Sequence, residues 1–135
     1  MKKNKFTYKE YNANFKNKKT TDCVVRAISI ALNKSWEDTF KELSTYTLET
    51  GYMWNDNGAC GFKKFLKLKG YDKQKMPRRK DNTRYTVKEF IEELANKNSI
   101  YIISVAGHLT VVKNLTLIDI WDCSDKSVGN YWIVK

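Results

Sequence analysis

A cysteine works as a nucleophile only as the thiolate. It is held in that form by a neighbouring base and, at the start of a helix, by the positive end of the helix dipole. Both parts are present in this chain of 135 residues. Cys23 opens the helix-like run Asp22-Cys23-Val24-Val25-Arg26-Ala27, and His108, the sole histidine, opens the strand-like run Gly107-His108-Leu109-Thr110-Val111-Val112. Brought together by the fold, they are the working pair of a thiol hydrolase. The competing reading makes Cys23 a small buried hydrophobe at a helix start and His108 a satisfied edge histidine.

Such a histidine needs a third group, normally Asn or Asp, bonded to its other ring nitrogen. After His108 the chain turns through Lys113-Asn114-Leu115-Thr116 and returns as Leu117 to Asp122, which brings Asp119 and Asp122 into reach. Register decides between them. A symmetric even loop sets Trp121 opposite His108 and Asp119 on the His108 face; a five-residue loop or a bulge sets Asp122 opposite. Asp122 is preferred, because at the strand end it can stay ionised at a cleft rim instead of being buried in mid-sheet. Its competing role is an Asx-type turn residue.

The elements that must position these residues follow from periodicity. Val24, Ala27, Ile28, Ala31 and Leu32 recur at three and four residues and predict a short buried helix, with Thr21 or Asp22 as N-cap and Cys23 in its first turn. Ser35-Trp36-Glu37-Asp38 starts a second helix striped by Trp36, Phe40 and Leu43 and running to about Thr47. Phe62, Phe65, Leu66 and Leu68 stripe a third, ended by Gly70. Thr86-Val87-Lys88-Glu89 is a capping box opening a fourth. Four runs then read as strands, Tyr101 to Val105, His108 to Val112, Leu117 to Trp121 and Tyr131 to Val134, so closely spaced that they predict antiparallel pairing. Helices followed by a meander sheet make an α+β domain, assigned to residues 21–135, with residues 1–20 as a basic N-terminal arm.

Charge is unevenly spread. The formal net charge is +10, with seven Lys and one Glu in residues 1–20 and nine Lys or Arg and one Asp in residues 61–80, which leaves the remainder net acidic. Lys63, Lys64 and Lys67 on the third helix and the loop tip Arg78-Arg79-Lys80 are therefore candidate contacts for a polyanion such as nucleic acid, the alternative being solubilising charge. Three cysteines without paired spacing, and a polar N-terminus, suggest a reduced cytoplasmic protein. No apolar run approaches the roughly 20 residues of a membrane-spanning helix, and no membrane partner is expected.

The ordered set Asp22-Cys23-Val24-Val25-Arg26-Ala27-Ile28-Ser29, Gly107-His108-Leu109-Thr110-Val111-Val112 and Trp121-Asp122 resembles the papain-like fold in its compact bacterial form. Bacteriocin-leader peptidases and NlpC-type cell-wall peptidases are of this kind, and small uncharacterised phage and prophage proteins share the pattern most closely. The resemblance covers about Asn12 to Lys135. It implies a phage or prophage cysteine peptidase or isopeptidase in a bacterial host cell, with Cys23 as nucleophile, His108 as base and Asp122 as orienter. The family's oxyanion hole adds a side-chain amide six residues upstream of the nucleophile, here Asn17, with Asn14 an equal candidate. The alternative is a weak or inactive module of this fold that binds nucleic acid or a host protein.

The neighbouring residues have plainer readings. Asp22 would raise the Cys23 pKa unless it is turned into the N-cap or paired with Arg26, which reads as a structural ion pair. Trp54, in the loop Tyr52-Met53-Trp54-Asn55-Asp56, is the candidate substrate-cleft wall. Cys60 and Cys123 lack ligand-like spacing with Cys23 and His108, so no metal and no cofactor is assigned.

Overall fold

The apolar stripe Val24, Val25, Ala27, Ile28 and Ala31 drives Cys23–Leu32 into a helix, α1, whose last turn closes on Asn33 in the left-handed region at φ 55°. The computed structural model describes residues 3–135; Met1 and Lys2 of the basic arm lie outside the described residues. Three further helices follow: α2 (Trp36–Thr50), α3 (Phe62–Leu68) and α4 (Val87–Glu93). Ser35 caps α2 by accepting from the Asp38 N–H, and the Thr86/Glu89 capping box at α4 is formed in both directions, as the sequence predicts.

Six strands make one sheet: β1 (Thr7–Glu10), β2 (Lys73–Gln74), β3 (Ile100–Val105), β4 (His108–Lys113), β5 (Thr116–Asp119) and β6 (Tyr131–Ile133), in the order β1-β5-β4-β3-β6-β2. The predicted meander is present, with β3, β4 and β5 paired antiparallel and β6 returning antiparallel to β3. The expectation of a wholly antiparallel sheet needs correction. Thr7–Glu10 of the arm pairs parallel with β5, so the sheet is mixed and the arm supplies its edge.

The sheet is buried on both faces. Ile102, Leu109, Val111 and Trp132 pack with the apolar sides of α1, α2 and α3, while Ile103, Val105, Val112 and Leu117 pack with Val87, Phe90 and Ile91 of α4. Two tight turns aim the site. Gly107, at φ 68°, closes the turn into β4 and so places His108 at the strand's first position. Asn114 and Leu115, at φ 53° and 62°, form the two-residue loop between β4 and β5. Positive φ at both positions is the geometry of the I′ hairpin turn, whose twist matches the strands.

Among the described residues, no helix is long and apolar enough to cross a membrane.

Candidate active site

The hairpin loop settles which aspartate meets the histidine. With Val111 opposite Ile118, Val112 opposite Leu117 and Lys113 opposite Thr116, Asp119 falls opposite Thr110 on the His108 face. His108 Nε2 lies 2.6 Å from Asp119 Oδ2. The preference for Asp122 is therefore corrected. Asp122 is exposed and accepts from the Ser124 backbone N–H at 3.1 Å, the Asx-turn role. The two-residue loop holds the register one step away from the one Asp122 needed.

Asp119, only 3% exposed, stays ionised because its oxygens are fully used. Oδ2 accepts from His108 and from Thr110 Oγ1 at 2.7 Å; Oδ1 accepts from Arg26 at 2.9 Å and from the Ile120 N–H at 2.7 Å. Burial pushes the carboxyl up, but the His108 and Thr110 hydrogen bonds and the charges of His108 and Arg26 hold it below the ordinary carboxylate value. The arm fixes its backbone, with the Tyr8 hydroxyl and the Tyr11 N–H both donating to the Asp119 carbonyl.

An ionised Asp119 accepts only, so Nε2 carries a proton and Nδ1 is the ring nitrogen left for the thiol. Burial alone would lower the His108 pKa. The hydrogen bonds to Asp119 and Cys23 outweigh it and push the imidazole up to about 9. Burial likewise pushes the half-buried Cys23 thiol up, yet its hydrogen bonds with His108 and the Leu109 backbone, with the charges of His108 and Arg26, bring it below the ordinary thiol value. The opposite shifts favour a thiolate–imidazolium pair.

Beneath this pair runs a second ionic link. Arg26 Nε donates to Asp22 Oδ1 at 2.8 Å while its Nη1 holds Asp119. Asp22 Oδ2 accepts from Asn14 Nδ2 at 3.0 Å and Trp36 Nε1 at 2.9 Å. Burial raises the Asp22 pKa, and these bonds with Asn14, Arg26 and Trp36 more than reverse it. The pairing with Arg26 considered from the sequence is thus formed, and the Asp22 carboxylate does not cap α1. The first N–H groups of that helix, Cys23 included, stay free of a side-chain cap.

The other sequence-derived residues fare differently. The Asn14 amide nitrogen is committed to Asp22, and its carbonyl accepts from the Lys16 and Lys18 N–H groups. Asn17 is an exposed turn residue at φ 53°. Neither stands as a built oxyanion donor. Half-buried Trp54 packs edge-on against Phe40 at 5.9 Å, at the far end of an aromatic row running Phe15, Trp36, Phe40, Trp54. Trp121, exposed, lies edge-on to His108 at 4.9 Å.

Thr110 and the Leu109 N–H were missed in the sequence. Thr110 had a signal: two residues after His108 on a strand, it had to share its face. His108, Asp119 and Cys123 also place a donor atom each within 4.8 Å of one another. Burial and the Asp119 charge push the Cys123 thiol up to about 12, and Arg26 occupies the carboxylate, so this donor set suits a proton network better than a metal. Cys60 lies elsewhere, exposed beside α3.

Comparison with protein-family models, with curated proteins and with solved structures finds no match to this chain.

Proposed function

We propose that this protein is a papain-like thiol hydrolase that cleaves peptide or isopeptide amides by acyl transfer, with Cys23, His108 and Asp119 as its triad. One observation carries the reading: His108 bonds an ionised Asp119 through Nε2 at 2.6 Å, and its hydrogen bond and charge depress the pKa of Cys23 although the thiol is half-buried. The ordered resemblance to compact phage and prophage members of that fold supports it.

The thiolate of Cys23 attacks the amide carbon, and the carbonyl electrons move onto oxygen, where the free Cys23 N–H at the α1 start can donate. Collapse expels the amine, which takes the His108 proton, and leaves a thioester on Sγ. Neutral His108 then removes a proton from water, which attacks the thioester and releases the acid and the thiolate. Asp119 keeps the Nε2 proton in place through both steps.

The test is acylation by a small activated ester, p-nitrophenyl acetate, followed by peptide mapping. The expected result is acetyl on Cys23, lost in Cys23→Ala and strongly slowed in His108→Ala. Acylation spread evenly over Cys60 and lysines, unchanged in His108→Ala, overturns the reading. A second reading, a weakly active or inactive module on this fold, is favoured by the commitment of Asn14 to Asp22, since a missing oxyanion donor costs about 3 kcal/mol of transition-state stabilisation. Acetyl-Cys23 that forms but does not turn over selects it.

A further inference from the structure

Away from the triad, the ends of α2 and α3 and the strand β2 enclose a cavity of about 640 Å³, within the range of pockets that hold small molecules. Its walls follow from the local sequence. Gly51, at φ 80°, ends α2 and turns the chain so that Tyr52 stands 52% exposed at the mouth. The Tyr46 hydroxyl donates to the Cys60 carbonyl and ties the connecting loop to α2 as a floor. Because Phe62, Phe65 and Leu66 are buried, the other side of α3 turns Lys63, Lys64 and Lys67 into the cavity, where Lys73 of β2 joins them.

Many lysines among the described residues form no ion pair; these four also converge on one cavity wall, whereas several other cations are neutralised internally. Lys34 and Lys69 share Glu42, Arg79 lies between Glu89 and Glu93 and over the Tyr85 ring, and Arg26 joins two aspartates. Among the described residues, Lys63, Lys64, Lys67 and Lys73 form no ion pair, and Asp72 is the one carboxylate lining the cavity. Convergent like charge in a concave wall concentrates anions. The loop tip Arg78-Arg79-Lys80, by contrast, is partly used up internally, with Arg78 on the Asn82 carbonyl and Arg79 on Glu93.

We propose that this cavity binds a nucleoside phosphate unit, whether a free nucleotide or one within a single strand. Lysine ammonium groups are point charges suited to phosphate oxygens, and four of them converge here. Tyr52 offers a ring on which a base stacks, and Leu68, 65% exposed, offers an apolar surface beside it. A purely acidic peptide would leave both unused. The site is separate from Cys23 and does not depend on the hydrolase reading.

Fluorescence anisotropy of the full chain with a labelled nucleoside triphosphate and a labelled single-stranded oligonucleotide, each at low and near-physiological salt, tests it. Binding of at least one probe is expected, weakened about tenfold or more in Lys63→Gln/Lys67→Gln and several-fold in Tyr52→Ala, with a shallower salt dependence in the double variant. Arg78→Gln/Lys80→Gln should leave it within about twofold. Equal affinity for both probes assigns a free nucleotide; binding of the oligonucleotide alone assigns a strand. Cys60 lines the cavity and supplies a second readout on the unaltered protein: ligand should slow its alkylation while that of Cys23 is unchanged. No binding at low salt, binding indifferent to the lysine and Tyr52 variants with Cys60 unprotected, or equal competition by a polyglutamate peptide overturns the proposal.

Discussion

Two charged regions of this molecule are built on opposite plans. At the α1–β5 junction, Asp22, Arg26, Asp119 and His108 are buried or nearly so, and each charge has an opposite one within 3 Å. In the α2–α3 cavity four lysines converge with one carboxylate among them. Burial explains the first plan, since an unpaired ion in a low-dielectric interior is not tolerated. Solvent permits the second. The difference teaches where ligands enter: the buried set is complete without one and serves to fix the neighbouring Cys23, whereas the cavity remains electrostatically open.

The largest effect should come from breaking the complete set. Arg26→Met leaves buried Asp22 without its cation and Asp119 with His108 alone, a change of the kind that costs about 3–5 kcal/mol. Urea denaturation should show that loss, with Asp22→Asn milder because Asn14 and Trp36 can still bond the amide oxygen. If Arg26→Met unfolds at the same urea concentration as the parent, the junction is not held by its charges and the contrast with the cavity disappears.

Next in size is the orientation of His108. Asp119→Asn removes the charge that keeps the imidazole protonated, so the thiolate loses its partner and alkylation of Cys23 at mildly acidic pH should slow about ten- to hundredfold. Asp122→Asn should change it less than about twofold, since that side chain only closes a turn. In the parent, limiting iodoacetamide should label Cys23 before exposed Cys60 and buried Cys123. Labelling of all three at one rate would break the link between the buried charges and the thiol.

Much of this junction was legible in the sequence, and the failures have physical causes. The α1 stripe and the Cys23 and His108 positions are readable because burial on one helix face and at a strand start leaves a periodic mark. Asp119 was passed over because an aspartate in mid-sheet looks prohibitively costly. Its counter-ion Arg26 arrives from 93 residues away, which no local pattern records. The hairpin register was misjudged for a local reason: Leu115 occupies a left-handed position that turn chemistry normally gives to glycine. Strand β1 left only a faint signal: Thr-Tyr-Lys-Glu at an edge is too short and exposed to read as a strand, and the aromatics Phe6 and Tyr8, half-buried against the α4 side of the core, mark no more than an extended segment pinned to the body.

The pH dependence of Cys23 sharpens the comparison further. Its thiol pKa is depressed, so alkylation should already be fast below the pH at which an ordinary thiol ionises. His108 is raised to about 9, so above that pH the imidazolium loses its proton and the thiolate is left unpaired and more nucleophilic. A second inflection near pH 9 in the iodoacetamide rate is the expected signature. In Asp119→Asn it should move to lower pH, because the carboxylate no longer holds the proton. A single inflection at the ordinary thiol value, unmoved by that substitution, means that Cys23 and His108 do not titrate as a pair.

The smallest effect should have the opposite sign. Lys63 and Lys67 are four residues apart on α3, and like charges at that spacing destabilise a helix by about 0.2–0.5 kcal/mol. Lys63→Gln/Lys67→Gln should therefore raise stability slightly at low salt. The gain should fade as added salt screens these exposed charges over a Debye length of about 10 Å at 0.1 M. Thermal melts at two ionic strengths measure it, and a shift of the order of 1–3 °C is expected for this change in a domain of this size. Removing one charge from the buried junction thus costs several kcal/mol, while removing two from the cavity costs nothing. A loss of more than about 1 kcal/mol on neutralising Lys63 and Lys67 would make these lysines part of the scaffold, erase the distinction between a satisfied and an open charge cluster, and remove the electrostatic argument for a ligand there.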